Sequence, residues 1–299
     1  MSRGPAVLAL VGATALWAGN YVVGERAVQT VDPIDLTAMR WVLAAVPLLV
    51  LAQVLERPDW RTALGRWPLL LLLGLIGMAG YNLALYEALR HTTAVSASLI
   101  NAVNPALITL AAALFLREGV GWRGIVGMLL GFCGIVLVLT KGSVETLASL
   151  DFNVGDLLML VAIAAWTFYT ILGGRAGVPP ITSTAIQATG VAVVMVPVAA
   201  VSGFAVPSTA EATWSVLFIG LVVSTGAYVL WNLAARSLQK SISGVFLNLI
   251  TVFTVLASVA LGTPIGAAEL VGGLVVLAGV VLTTLDRARR PVAPVTVRT

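Results

Sequence analysis

Two aromatic–polar stripes are the features of this chain most able to do chemistry. Trp17, Asn20, Tyr21 and Gly24 fall at i, i+3, i+4 and i+7, and Trp166, Tyr169, Thr170 and Gly173 repeat the spacing. That spacing puts each set on one side of a helix. Rings, amides and hydroxyls in one stripe recognise a ligand by stacking and hydrogen bonding. They suit the wall of a cavity that takes an apolar body and a few polar groups. Trp and Tyr also form belts at membrane interfaces, but Trp17 and Trp166 lie in the middle of long apolar runs. Further groups of the same kind follow: Met78, Tyr81, Asn82 and Tyr86; Ser98, Asn101, Asn104 and Pro105; Tyr228, Trp231 and Asn232; Asn248 and Thr251. An amide inside a bilayer has no water to bond, so it faces protein or a pocket. Asn101 and Asn248 could bond a substrate or a neighbouring helix. For Asn104, beside Pro105, a bond between helices is the simpler role, because proline cannot donate and frees a carbonyl.

Charge inside these runs is scarce. Arg40 sits about one turn into its run and reads as a structural partner of a carbonyl or helix end. Glu87 lies toward one end of a run and is the candidate for proton coupling; it could equally pair with Arg90 or Arg26. No acidic residue occupies the centre of a run, so strict dependence on a buried carboxylate is not expected. There is one cysteine, Cys133, and one histidine, His91. These exclude a disulfide framework and a Cys- or His-based metal cluster. No phosphate-binding loop, dinucleotide fingerprint or metal spacing is present, so no cofactor is expected and nucleic acid is not an expected partner. A membrane enzyme, the alternative from another class, would need a catalytic His, Cys or carboxylate pair at one depth, and none is supplied.

The elements that must hold these residues are membrane spans. Of 299 residues, 59% are hydrophobic and 10% charged, where a soluble domain carries about 25% charged residues. Mean hydropathy is +1.02. Charge is too sparse to cover a water-facing surface, so the lipid bilayer is the expected partner. A span needs roughly 20 mainly apolar residues. Ten such runs are predicted, at 5–25, 34–55, 67–89, 93–116, 121–140, 154–174, 180–202, 212–235, 241–261 and 267–285. The first, too long for a signal-peptide core, is expected to be retained. Nothing forces a span to break, so half-helix dipoles are not expected to contribute.

The chain also repeats itself. Trp17 and Arg26 recur as Trp166 and Arg175, Gly74 and Gly80 as Gly220 and Gly226, Asn101 as Asn248, and Gly127 and Gly134 as Gly272 and Gly279, at offsets of 145–149. This predicts a first five-helix repeat over 1–140, an extracytoplasmic linker over 141–153, a second repeat over 154–285 and a disordered cytoplasmic tail over 286–299. Basic residues favour the cytoplasmic side. With the N-terminus inside, thirteen of seventeen Lys and Arg residues are cytoplasmic, three (Arg26, Arg90, Lys141) are outside, and Arg40 is in a span. Five helices per repeat then make the repeats inverted. Duplicated units around a pseudo-axis suit a transporter that opens alternately to either side. The glycine spacings at 127, 131, 134, 272, 273 and 279 are read as packing within one subunit, so a monomer is expected.

Three stretches resemble a known family. They are Leu36-Thr37-Ala38-Met39-Arg40-Trp41; the run from Tyr86-Glu87-Ala88-Leu89-Arg90 through Asn104-Pro105 to Arg117-Glu118; and the glycine spacing of the fifth and tenth spans. Together they resemble the EamA-type branch of the drug/metabolite transporter superfamily, and within it the YddG-type exporters of aromatic and other amino acids. The resemblance implies an all-α membrane protein of ten transmembrane helices in two inverted five-helix repeats. It implies a central cavity lined by helices 1, 3, 4, 6, 8 and 9, with 5 and 10 at the rear. One departure is visible: the ninth span ends in Gly262-Thr263-Pro264, without an acidic end like Glu118.

The expected function is export of amino acids, aromatic and other neutral ones, across the bacterial inner membrane by alternating access. The expected substrate residues are Trp17, Asn20, Tyr21, Met78, Tyr81, Asn82, Ser98, Asn101, Trp166, Tyr169, Tyr228 and Asn248, with Glu87 for coupling. Alternatives are export of other small metabolites or drugs, or carriage of nucleotide sugars or sugar phosphates. A phosphate needs basic partners, and the fourth, sixth, eighth and ninth spans have none at mid-depth.

Overall fold

The computed structural model describes residues 3–115, 119–145, 153–173, 176–235 and 246–288. Among these every regular element is helical. Eight helices are long and apolar enough to cross a membrane: α1 (Gly4–Ala27), α2 (Pro33–Leu55), α3 (Trp67–Ala88), α4 (Ala94–Phe115), α5 (Trp122–Leu139), α6 (Val154–Gly173), α7 (Pro180–Val201) and α8 (Ala210–Ala234). Two more are apolar but shorter, α9 (Asn248–Ala260) and α10, whose apolar part runs Ala267–Leu282 and whose helix continues to Ala288. The expected ninth span begins at 241, but 241–245 lie outside the described residues, as do 146–152 of the linker and the Arg117-Glu118 pair. The tail expected to be disordered from 286 is helical as far as Ala288, and 289–299 lie outside the described residues.

Local chemistry sets the helix starts. Asp32 accepts from Ile34 N at 2.8 Å, and Pro33 takes the first position of α2, where its missing N–H costs nothing. Thr93 caps α4 through Ser96 N, and Thr209 caps α8 through Ala212 N. Glu56, just past α2, accepts from Ile181 N, Thr182 N and Thr182 Oγ1 at the start of α7. A carboxylate at a helix N-terminus satisfies orphan donors and the dipole together.

Polarity is reversed relative to a water-soluble protein. Val46, Val50 and Val54 of α2, Leu129 and Phe132 of α5, Val193 and Val196 of α7 and Leu270 and Leu274 of α10 are exposed. Asn20, Arg40, Asn82, Gln187, Ser224 and Thr254 are buried. An apolar exterior around a polar interior is stable only where the solvent is lipid.

Packing pairs the two halves. α2 lies on α7 and α5 on α10; α1 lies on α8 and α9, while α6 lies on α3 and α4. In the α5–α10 seam a Cβ on Gly134 would stand 2.7 Å from the Gly272 carbonyl, and one on Gly272 2.9 Å from that of Gly134. Only glycine permits that approach, and it occurs within one chain, as the glycine spacing predicted.

Three irregularities break the regular helices. α3 widens to π-helix over Leu75–Gly80, and α8 does so over Phe218–Ala227. α4 is interrupted at Ala102 and Val103, between Ala94–Asn101 and Asn104–Phe115. The interruption corrects the expectation of unbroken spans. Pro105 has no N–H for the Asn101 carbonyl, and Ala106 N bonds Val103 O instead, at 2.8 Å.

Candidate substrate cavity

These irregularities surround one narrow cavity, with a volume of about 60 Å³. α1 supplies Trp17, Asn20 and Tyr21; α3 supplies Tyr81 and Asn82; α4 supplies Asn101, Asn104 and Ile108 around its break. Trp166 of α6, Tyr228 of α8 and Asn248 and Ile250 of α9 complete most of the wall. The expected lining by helices 1, 3, 4, 6, 8 and 9 therefore holds, with one addition: α2 contributes Arg40.

Nine of the twelve expected substrate residues line this space: Trp17, Asn20, Tyr21, Tyr81, Asn82, Asn101, Trp166, Tyr228 and Asn248. Three do not. Met78 is fully buried in the apolar layer between α2, α3 and α7. Its position in the wide turn of α3 faces that layer, and its carbonyl accepts from Asn82 Nδ2. Ser98 is fully buried and turned to its own helix, with Oγ on Val95 O at 2.9 Å, while its carbonyl takes Thr251 Oγ1 at 2.9 Å. Tyr169 is seated against Gly77 and stacks behind Trp166 at 5.1 Å, so it backs the wall instead of forming it. Glu87 is not brought to the cavity either. It lies in the last turn of α3, where its side chain is 40% exposed and pairs with Arg90 at 3.3 Å and His91 at 3.2 Å.

The rings form two clusters. Trp17 meets Tyr228 edge-on at 5.7 Å and Trp231 at 5.3 Å; Trp166 meets Tyr81 at 5.4 Å. Such pairs hold each ring in place and add about 0.5–1.5 kcal/mol beyond burial. Tyr21 Oη and Tyr81 Oη lie 2.7 Å apart, and Tyr81 donates to Asn101 Oδ1 at 3.4 Å. Asn104 bonds Thr167 Oγ1 at 3.1 Å, the helix-to-helix role expected of it, and still lines the cavity.

Arg40 is the residue that sequence reasoning undervalued. It is 2% exposed. Nε donates to Ser224 Oγ at 2.6 Å, and Nη1 donates to Asn20 Oδ1, Asn82 Oδ1 and Tyr86 Oη at 3.0, 2.7 and 2.6 Å. The guanidinium also stacks over Trp41 at 5.0 Å. Both wide turns serve it. Ser224 belongs to the one in α8 and is oriented by its own bond to Ile219 O at 2.7 Å. Asn82 is oriented by Met78 O within the one in α3. π-bulges at functional sites are frequent because they free carbonyls and re-aim side chains. The available signal was the mid-span charge itself.

A bundle of apolar-surfaced helices around a polar, aromatic cavity defines a multi-pass membrane transporter. The chain belongs to the EamA-like transporter family, which matches residues 4–140 and again 153–285. It is 27% identical over 276 residues to the uncharacterized transporter YyaM of Bacillus subtilis, covering 91% of this chain and 90% of that one. It is 29% identical over 300 residues to a protein of Streptantibioticus cattleyicolor described as a probable terminal-alkyne amino-acid exporter, covering 98% and 99%. A solved crystal structure superposes with a TM-score of 0.66 at 20% identity, over 97% of this chain and all of the other, which shows the fold.

Proposed function

We propose that this protein exports amino acids, aromatic and other neutral ones, across the bacterial inner membrane by alternating access. The observation that carries the reading is the cavity wall. Aromatic rings from α1, α3, α6 and α8 stand beside the carboxamides of Asn20, Asn82, Asn101 and Asn248 and one guanidinium. An amino acid presents a matching apolar side chain with two charged polar groups. The similarity to a protein described as an amino-acid exporter supports the same reading.

In this proposal the molecule has ten spanning helices in two inverted repeats, with both termini in the cytoplasm. The packing supports it. Exchanging α1 with α6, α2 with α7, α3 with α8, α4 with α9 and α5 with α10 turns the principal contacts into one another. The two family matches divide at the same place. Trp17 and Trp166, and Asn101 and Asn248, are equivalent under that exchange, and all four line the cavity.

The test is uptake of a labelled amino-acid panel into proteoliposomes, with and without an imposed pH gradient. Saturable exchange of at least one neutral amino acid is expected. No exchange of any of them would overturn the assignment. Because Glu87 sits in an exposed ion-pair group, Glu87→Gln is expected to leave gradient-driven transport within about twofold, a surface-charge effect. Loss of gradient-driven transport with exchange preserved would make Glu87 the proton carrier.

A further inference from the structure

Arg40 is held as a cation without a counter-charge. Its four side-chain bonds go to a serine, two carboxamides and a phenol, all neutral. They use Nε and Nη1; Nη2 makes none of them. Among the described residues no carboxylate lies within ion-pair distance of it. Burying an unpaired charge is costly unless something repays it. If tying helices together were the only need, neutral hydrogen-bonding side chains at this seam would meet it without that cost. The charge has a use where an anion arrives.

Its location fits that use. Arg40 is part of the cavity wall although 2% exposed. The bonds it donates to Asn20, Asn82, Tyr86 and Ser224 fix the guanidinium plane, so little side-chain freedom remains to be lost on binding. A planar fork of donors matches a carboxylate in geometry as well as charge. The same wall holds the complement. Asn248 Oδ1 is a buried acceptor with no hydrogen-bond partner among the described residues. An unpaired buried acceptor favours a ligand that donates, as an ammonium does.

We propose that Arg40 is the anion anchor of the cavity, receiving the substrate's carboxylate, and that Asn248 Oδ1 receives its ammonium group. This rests on the reading of the cavity as the substrate site. The aromatic clusters then take the side chain. The order of recognition follows: the carboxylate is indispensable, and the ring is adaptable.

The experiment compares matched ligands on the purified wild-type protein in detergent, by calorimetry. The probes are L-phenylalanine, 3-phenylpropionate and phenethylamine, with the aliphatic set L-leucine, 4-methylpentanoate and isopentylamine. In at least one set the amino acid and the carboxylate should bind about tenfold or more tighter than the amine, the discrimination of one charged hydrogen bond. Arg40→Gln should erase that preference, and Arg40→Lys should keep part of it. Asn248→Leu should bring the amino acid down to the affinity of the deaminated acid. If in both sets the amine binds as well as the acid, or nothing binds, the anchor is refuted by the wild type alone, whatever the variants do. If Arg40→Gln folds and keeps the preference, it is also refuted. If the acids bind but no amino acid is exchanged in proteoliposomes, the transport reading fails and the anchor stands.

Discussion

Trp17 and Trp166 each stand between a cavity and a second aromatic residue, Trp231 behind one and Tyr169 behind the other. The backing ring keeps the front ring at a fixed angle, so a substrate meets a preformed face. Trp17→Ala and Trp166→Ala should each weaken substrate binding by about 1–3 kcal/mol, with membrane expression unchanged. Transport rates over a substrate series check this; normal transport by both would show that the rings serve only the fold. Asn101→Ala should lose a similar amount by removing a carboxamide from the cavity wall and leaving Tyr81 Oη held by Tyr21 alone. At this scale the sequence was readable in part. Aromatic and amide residues at helical spacing announced a polar face, and most of them do line the cavity. Ser98 and Met78 could not be sorted in advance, because a serine can bond its own helix and a wide turn rotates everything around it. Arg40 was visible as a mid-span charge. Its four partners come from α1, α3 and α8, up to 184 positions away, and no local pattern encodes them.

The wide turns of α3 and α8 are the elements on which the site depends. Each lies at the glycine-bearing stretch that the two halves share, Gly74 and Gly80 in one and Gly220 and Gly226 in the other. The glycines were legible; the wide turn was not, because the same residues also suit a regular helix against a close neighbour. Ser224→Ala tests how far Arg40 relies on the turn. It removes the Nε acceptor from a buried cation and should cost about 1–3 kcal/mol, read as a lower unfolding temperature in detergent. The α5–α10 seam makes a second expectation. Gly134→Leu would drive a side chain into the Gly272 backbone and should cost about 1–3 kcal/mol or more through overpacking. Gly203→Leu has open space around it, although its φ of +90° strains any side chain. Gly134→Leu should therefore separate α5 from α10, measured by cross-linking, where Gly203→Leu should not.

For the whole molecule, the alternating access proposed above would have α1 and the α3–α4 corner part at one face. There a Cβ on Gly24 would lie 3.3 Å from both Leu89 and Tyr86, and Tyr21 meets Tyr81 just below. Gly24→Cys with Leu89→Cys, in a Cys133→Ser background, should cross-link on oxidation, halt exchange and recover on reduction. Full exchange by the cross-linked protein would mean that this face never opens. A reporter active only outside the cytoplasm, fused to the C-terminus, should stay silent if the proposed orientation holds. The overall plan was the most legible level, since hydropathy and the internal repeat depend on composition and spacing alone. The break in α4 was missed because Pro105 is equally compatible with a kinked continuous helix. The buried guanidinium has one more consequence, an electrical one. A carrier that exposes Arg40 first to one side and then to the other shifts a positive charge relative to the membrane potential, even if the side chain scarcely moves. That shift is worth up to about 2.3 kcal/mol per 100 mV for a full crossing of the field. A zwitterionic cargo leaves the charge unchanged, so outward and return steps carry equal and opposite currents. Turnover is then silent at steady state, whereas a sudden substrate jump on a supported membrane should give a transient displacement current, absent in Arg40→Gln.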